Sequence, residues 1–215
     1  MKQNEFSHII AAILILTIVF SFSFVLKGNL SGLARVFAFS VIIICGSIFA
    51  KKITAFLLDS DLEHEIWTTY RFGFKPKQHF NKPIPAGIIF PLILSLISLG
   101  TIKFSPLLTY ETRALKYRAS KRFGIYSYTE MTDFHNGLIG ASGIMSILII
   151  AIIAYIIPGT NIEYLSKMAS YYAFWNILPI SKLDGTQIFF GSRILWSVLV
   201  AITTIFAFLA FTIIP

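Results

Sequence analysis

The sequence carries little charge for its length. Asp, Glu, Lys and Arg together make up 13% of its 215 residues, whereas soluble domains carry about a quarter. Hydrophobic residues account for 56% of the chain, and the mean hydropathy is +0.76. This composition excludes an ordinary soluble globule and predicts an all-α polytopic membrane protein.

Cysteine and acidic residues are also scarce. The single cysteine, Cys45, lies in an apolar run, which excludes an internal disulfide and predicts a small core residue. Lys and Arg number 18 against 10 Asp and Glu, for a net charge of +8. The basic residues lie in loops between apolar runs and form no tract, a pattern typical of cytoplasmic loops and not of nucleic-acid binding.

The expected partners are therefore membrane lipids. Lys116, Tyr117 and Arg118 lie together in one basic loop and are suited to contact with anionic headgroups. The distribution of Lys and Arg also predicts a cytoplasmic N-terminus and cytoplasmic basic loops. Nucleic acid is not expected as a partner, because no recognised nucleic-acid motif accompanies the charge.

The apolar runs predict about five to six transmembrane segments, since a helix needs about 20 apolar residues to cross the hydrocarbon core. They form a single integral membrane domain, residues 1–215. Lys51 and Lys52 are interpreted as an anchor at the membrane edge. The predicted spans are 8–26, 33–50, 138–157, 164–180 and 194–214, with a further apolar element at 83–108.

The element at 83–108 differs from the other apolar runs because prolines crowd its first half. Pro83, Pro85 and Pro91 each remove a helix hydrogen bond or break the helix. The loops on both sides are basic, so both are expected on the cytoplasmic side. These features favour a re-entrant or hairpin element, with a single crossing as the alternative. β-Branched and aromatic residues just before it predict short strands at 66–80.

One apolar segment contains Asn176, Pro179, Asp184 and Gly185. A carboxylate near membrane depth costs about 2.5–3.5 kcal/mol on insertion scales. In one interpretation, Asp184 lies beyond the helix end in headgroup-level water, with Gly185 supplying a positive φ in the turn. In the other, the broken helix exposes backbone, and Asp184 points into a polar cavity where it binds a metal or a substrate.

The letters N-I-L-P at 176–179 and L-D-G at 183–185 resemble the third-ligand motif of the site-2 protease family, the intramembrane zinc metalloproteases. The letters I-F-F-G-S-R at 188–193 resemble the archaeal branch of that family. The resemblance implies the family's fold, with Asp184 as the third zinc ligand. The other two ligands would be the histidines of an H-E-x-x-H helix, whose glutamate acts as general base.

The helix that should carry H-E-x-x-H has neither its histidines nor its glutamate. The family motif falls on residues 45–54 of this chain. There Ser47 replaces the first histidine, Ile48 the glutamate and Lys51 the second histidine. Isoleucine cannot transfer a proton, and a protonated lysine has no lone pair for a metal. The resemblance then implies a member that keeps Asp184 as its only family ligand, unoccupied, and that needs no cofactor.

The remaining histidines leave an alternative open. His64 begins a sequence like H-E-x-x-H, but Thr68 stands at the fifth position. We therefore interpret His64 as a solvated loop residue. His79 and His135 are interpreted as loop or interface residues, because neither has a second ligand at helical spacing. The alternative is an active zinc protease with non-standard ligands, in which His64 or His79 folds back beside Asp184.

The segment 133–143 resembles the stretch leading into the family's A-G-P-x-x-N helix, which lines the substrate cleft. Gly140 and Gly143 match its small residues. No proline follows Gly143, and Ser146 or Ile147 stands in place of the asparagine. The predicted partner cleft comprises Asn176, Pro179, Gly185, Gly140 and Gly143.

These observations predict a catalytically inactive, site-2-protease-like membrane protein. Its function would be to bind a transmembrane segment of a partner or to serve in a membrane complex, with backbone near Pro179 offering hydrogen-bonding groups. An active zinc protease is the first alternative. A small transporter or a structural subunit is the second. Transport predicts several buried ionisable groups in the spans, whereas the sequence indicates Asp184 alone.

Overall fold

A computed structural model describes residues 3–26, 28–71, 79–115, 131–157 and 160–212. Within these residues the chain forms seven helices and four strands. The helices are α1 (Gln3–Leu26), α2 (Leu30–Leu57), α3 (Ala86–Ile97), α4 (Asp133–Ile156), α5 (Thr160–Asn176), α6 (Asp184–Gly191) and α7 (Arg193–Thr212). The strands are β1 (Ser60–Ile66), β2 (Thr69–Arg71), β3 (His79–Ile84) and β4 (Leu108–Ala114). The basic loop around Lys116 lies outside the described residues.

Four helices, α1, α2, α4 and α7, are long and apolar enough to cross a membrane. Large apolar side chains on them are exposed, for example Phe49, Ile153 and Phe208. On the same helices Ser40 and Thr203 are fully buried. Polar groups inside and apolar groups outside are suited to helices in contact with lipid. Of the five to six predicted spans, four are therefore helices of this kind.

The predicted span 164–180 is instead α5, a 17-residue helix that ends at Asn176. Pro179 accounts for the early end, because the residue before a proline is biased toward extended conformations. Tyr172 and Ala173 of α5 are buried, and the helix packs against α4 and α7. The continuation of this helix to residue 180 is therefore wrong, and α5 serves as a core helix.

The two ends of the element at 83–108 both lie beside Trp67. The Gly87 N–H, at the start of α3, donates a hydrogen bond to the Trp67 carbonyl at 2.9 Å. The backbone N–H of Trp67 in turn donates to the Leu107 carbonyl, also at 2.9 Å. A side chain at Gly87 would overlap that carbonyl. The 12 residues of α3 extend only about 18 Å, against about 30 Å of hydrocarbon. The chain from 83 to 108 therefore follows a hairpin path that begins and ends beside Trp67.

The hairpin reverses at a turn that packs against α1. Leu99 and Gly100 both have positive φ, 50° and 78°, a conformation that glycine adopts without strain. The Gly100 N–H donates to the Ser95 carbonyl at 2.8 Å and closes the end of α3. A side chain at Gly100 would press against Phe22 of α1, so the turn lies close to the distal half of that helix.

Two small antiparallel sheets join the helices. β1 pairs with β4 along its whole length, and β2 pairs with β3. The strands predicted at 66–80 correspond to β2 and the start of β3. The sequence does not predict the longer pair, β1 with β4, because the charged residues of β1 are typical of a loop. Ser60, Leu62 and His64 are nevertheless buried, with the period of two that a half-buried strand requires. The chain is mostly helical but not all-α.

The main core lies among α1, α2, α4 and α5, where Leu16, Phe20, Ile144 and Met168 are fully buried. Cys45 is exposed, so its prediction as a core residue is wrong. Ile43 and Ile44, just before it on α2, are fully buried in this core instead.

Helices α2 and α4 approach each other through small residues. The Ser146 hydroxyl lies 3.4 Å from the Gly46 carbonyl, and the Ser142 hydroxyl lies 3.4 Å from the Ala50 carbonyl. A side chain at Gly46 would press against Ile150. Small residues let helix backbones come close in membranes. This contact brings the last turns of α2 against α4.

Candidate functional site

Lys51 and Asp184 form an ion pair inside the protein. The Nζ atom of Lys51 lies 2.6 Å from Oδ2 of Asp184, and the side chains are 4% and 2% exposed. Asp184 is therefore not in headgroup-level water, and Gly185 is a helical residue of α6. The turn interpretation is wrong. The interpretation of Lys51 as a membrane-edge anchor is also wrong, because its ammonium group points inward.

The broken segment before α6 places Asp184 at a helix start. α6 begins at Asp184, where the helix dipole favours a negative charge. A side chain at Gly185 would overlap the Ile177 carbonyl. Only glycine therefore lets the start of α6 lie this close to the backbone at Ile177. The Trp196 indole N–H donates to the same carbonyl at 3.0 Å. The carbonyl of Ile177 is thus already bonded within the chain.

Two glycines of α4 make room for the ion pair. A side chain at Gly143 would overlap the aliphatic stem of Lys51. A side chain at Gly140 would meet the Tyr110 hydroxyl at 2.7 Å and the Asp184 carbonyl at 3.3 Å. The Tyr110 ring lies 4.9 Å from the Lys51 ammonium, within range of a cation–π contact. Gly140 and Gly143 therefore pack directly against the ion pair and Tyr110.

Tyr110 is held by hydrogen bonds from β4 to α4. Its hydroxyl donates to the Asn136 carbonyl at 2.6 Å, and the Thr112 hydroxyl donates to Oδ1 of Asn136 at 2.5 Å. Burial, and then the negative charge of Asp184, raise the pKa of Tyr110 well above its ordinary value. The phenol therefore stays protonated and serves as a hydrogen-bond donor.

The electrostatics of the site depend on the pairing. Burial raises the pKa of the Asp184 carboxyl, and the charge and hydrogen bond of Lys51 oppose that rise. Within the described part of the chain, the second carboxylate oxygen, Oδ1, has no hydrogen-bond partner. Breaking a buried pair by removing one partner leaves an uncompensated charge and costs about 3–5 kcal/mol.

A second buried cluster lies beside the first. Oε1 of Glu5 lies 2.8 Å from the Lys52 ammonium and 3.3 Å from Nδ1 of His64. The side chain of His64 is 1% exposed, so its interpretation as a solvated loop residue is wrong. Burial, and then the positive charge of Lys51, lower the pKa of His64 to about 3. His64 is therefore neutral at physiological pH.

Among the described side chains, His8 and His135 have partners other than Asp184. Nδ1 of His8 accepts the Ile66 N–H at 2.9 Å, and His135 contacts the Thr132 hydroxyl at the start of α4. His79 lies in β3, and its side chain is outside what is described. Within the described ranges, no three His, Cys, Asp or Glu residues are placed to hold a metal ion.

The residues present do not fit a zinc ion. A catalytic zinc site uses three protein ligands with lone pairs. Beside Asp184 lies an ammonium group at 2.6 Å, which offers no lone pair and carries a positive charge of its own. Ser47 is buried one turn before Lys51, and Ile48 packs against the main core. The position that the resemblance assigns to the second histidine is thus next to Asp184, and the residue there is a cation and not a ligand.

The predicted partner cleft is not open at its glycines. The faces of Gly140 and Gly143 are covered by Tyr110 and Lys51. Asn176 is 1% exposed, and its amide donates to the Tyr172 carbonyl of its own helix at 2.8 Å. Pro179 is exposed. Gly140, Gly143 and Asn176 are therefore closed to a partner helix.

An apolar groove opens elsewhere, between α4, α5 and α7. Its volume is about 300 Å³. Small residues form its floor, including Ala151, Ser166, Ser170 and Ala210, and larger ones such as Tyr155 form its rim. The Ser170 hydroxyl donates to the Ser166 carbonyl at 2.8 Å, so the floor presents little unpaired polarity.

Sequence reasoning found Asp184 and missed its partners. Lys51 was within reach of the sequence, because the family register places it at a ligand position on the helix. Tyr110 and Glu5 give no such signal, since they reach the site through the β1–β4 pairing and the first turn of α1. Long-range pairing of this kind leaves no periodic pattern in one sequence.

Comparisons with protein-family models, with curated proteins and with solved structures found no match to this chain. The resemblance to the site-2 protease family therefore rests on the chain itself, mainly on residues 176–193. The function has to be inferred from the geometry of the ion pair and of the helices around it.

Lys51→Met and Asp184→Asn should each lower the free energy of unfolding by about 3–5 kcal/mol, because each leaves one charge buried alone. The double variant should regain most of that loss, since both charges are gone. Denaturant unfolding in detergent, followed by circular dichroism, measures the three values. Lys182→Met is the control, because its pair with Glu111 is exposed and contributes about 1 kcal/mol or less. Additive losses in the double variant would contradict the buried pair.

Stability should rise with pH between about 3 and 6.5, the folded and ordinary pKa values of His64. In that window the unfolded chain binds a proton at His64 and the folded chain does not, so acid favours unfolding. His64→Asn keeps a donor toward Glu5 but cannot titrate, and its slope should be smaller. Melting temperatures of both proteins at several pH values make the comparison. Equal slopes would show that His64 titrates normally.

Proposed function

We propose that this chain is an integral membrane protein on the site-2 protease plan, in which an internal ion pair takes the place of the metal. It binds a transmembrane helix of a partner and does not cut it. The observation that carries this proposal is the 2.6 Å contact between Lys51 and Asp184. It joins the two positions that the family motifs assign to metal ligands.

The position of Lys51 supports the resemblance. Lys51 falls on the second histidine of H-E-x-x-H, and Asp184 falls on the third ligand. The two residues are far apart in sequence, on α2 and α6, yet their side chains touch. A metal site would require these two positions to converge. Their side chains are in contact here, but Lys51 is not a metal ligand.

The chemistry of the site argues against hydrolysis. Hydrolysis of a peptide bond at a metal centre needs an activated water and a general base. Ile48 stands at the position of the base and has no titratable group. The Lys51 ammonium neutralises the carboxylate that would otherwise attract a cation. The proposal therefore assigns no catalytic residue to this chain.

The groove between α4, α5 and α7 is the place where a partner helix fits. Alanine and serine on its floor permit close backbone approach, which drives helix association in membranes. α4 and α7 are among the four candidate spans, so a helix in this groove would lie parallel to them. The glycines of α4 are covered by Lys51 and Tyr110, so the proposal places the partner here and not at Gly140.

Transport is a second candidate, and one observation favours it. The expectation that Asp184 stands alone among buried ionisable groups is wrong. Glu5, Lys51 and His64 are also buried, at 4%, 3% and 1% exposure. Connected buried charges are typical of proton pathways. In liposomes, a proton-coupled transporter would dissipate a pH gradient, and Asp184→Asn would abolish the flux; the binding proposal expects no flux from either protein.

A photo-reactive residue at Ile152, on the groove rim, should cross-link in native membranes to one transmembrane peptide that mass spectrometry can identify. The same residue at Ile42 of α2 is the control, because the two side chains are equally exposed, at 42% and 44%. It should give only lipid adducts. The same peptide from both positions, or lipid alone from both, would rule out the groove.

Elemental analysis of the purified protein tests the other half of the proposal. Zinc well below one ion per chain is expected, and Asp184→Ala should not change it, because the ammonium excludes a cation. A stoichiometric zinc ion that Asp184→Ala removes would overturn the non-hydrolytic reading and support the protease.

A further inference from the structure

A second cavity lies at the other end of the helices, between the hairpin turn, α5 and α7. Its volume is about 470 Å³, within the range of ligand sites. Two lysines, Lys103 and Lys167, line it together with Tyr171, Trp175 and Phe211. Cationic groups and aromatic faces thus share one cavity.

Among the residues that the structure describes, no carboxylate lines this cavity beside Lys103. The Lys103 ammonium group donates to the Tyr164 hydroxyl at 3.3 Å and lies 5.4 Å and 5.2 Å from the ring centroids of Phe20 and Tyr164. Burial, and then the positive charge of Lys167, lower the pKa of Lys103 to about 8. Glu163 lies one turn before Lys167 on α5 but does not line the cavity. An anion between the two lysines would relieve the repulsion.

The turn that presents Lys103 is held in place. The Thr101 N–H donates to the Ser98 carbonyl at 3.0 Å, and the Gly100 N–H donates to the Ser95 carbonyl at 2.8 Å. Phe104, next to Lys103, packs edge-on against Trp175 at 4.8 Å between ring centroids. A fixed ammonium group loses little freedom when an anion binds.

The opposite wall of the cavity is apolar and faces outward. Ala207 and Phe211 belong to the last turns of α7, a candidate span, and Phe211 is 73% exposed. Tryptophan and tyrosine are common at the level of lipid headgroups, and Trp175 and Tyr171 stand beside the lysines. The cavity therefore leads from a cationic end to a lipid-facing helix surface.

The position of the cavity along the helices also suits a membrane interface. Lys103 contacts Phe20 on α1, whereas Glu5, near the other end of α1, contacts Lys52. Fifteen residues of helix separate these two points by about 22 Å. The cavity and the Lys51–Asp184 site thus lie toward opposite ends of the bundle, so neither depends on the other.

We propose that this cavity binds an anionic phospholipid. Its phosphate lies between the ammonium groups of Lys103 and Lys167, and an acyl chain runs along Ala207 and Phe211. The two lysines that line the cavity attract a negative headgroup, and the apolar wall of α7 selects a lipid over a free phosphate ion. This site goes beyond the proposed partner binding and holds whether or not that proposal is correct.

Native mass spectrometry of the delipidated protein in detergent tests the proposal. Phosphatidylglycerol should bind more tightly than phosphatidylcholine with the same chains. Lys103→Gln with Lys167→Gln should weaken phosphatidylglycerol binding about fivefold for each lysine removed. Lys103→Arg with Lys167→Arg keeps both charges and should retain binding. Lys182→Gln, at an exposed lysine beside Glu111, should have no effect.

Each of three results would overturn the lipid site. Equal binding of the two lipids would show that charge is not recognised. Unchanged phosphatidylglycerol binding after both Gln substitutions would place the lipid elsewhere. Displacement of the lipid by an equal concentration of inorganic phosphate would identify a phosphate-ion site. If the Gln variant does not fold, the preference of the unaltered protein and the Arg variant still decide the outcome.

Discussion

The carboxylate of Asp184 has to be neutralised, and much of the surrounding structure serves that requirement. The side chain is 1% exposed, and an ionised group so far from water costs several kcal/mol unless it is paired. Lys51 supplies the pair at 2.6 Å from the neighbouring helix α2. This contact forms only if the broken segment after Asn176 ends where α6 begins, at Asp184, and if α2 places Lys51 beside that residue.

The glycines of α4 follow from the same constraint. Gly143 leaves room for the stem of Lys51, and Gly140 leaves room for the hydroxyl of Tyr110. Tyr110 in turn fixes β4 against α4 through Asn136. The sequence suggests that Gly140 and Gly143 line an open cleft. In the folded chain they pack tightly against the Lys51–Asp184 ion pair and Tyr110. For this reason the proposed partner helix is placed at the groove between α4, α5 and α7.

The sequence predicts the fold further than it predicts the site. Apolar runs locate α1, α2, α4 and α7, and the prolines near Pro91 indicate the hairpin, because both signals are local. The early end of α5 does have a local signal in Pro179, which a span drawn to residue 180 overlooks. The β1–β4 sheet has no such signal, because it depends on pairing across some 50 residues of chain. Asp184 stands out as a carboxylate in an apolar run. Its pairing with Lys51 does not, because a lysine at a helix end has the same sequence signature as a membrane anchor.

Restoring the family motif tests most directly whether a lysine stands in the place of a metal. The variant Ser47→His, Ile48→Glu, Lys51→His puts two imidazoles one turn apart on α2, facing Asp184. Zinc per chain is measured by elemental analysis, with and without Asp184→Ala. The account predicts about one bound zinc ion, as expected for three protein ligands, and its loss with Asp184→Ala. A folded variant that binds no zinc would contradict the claim that these positions converge on one site.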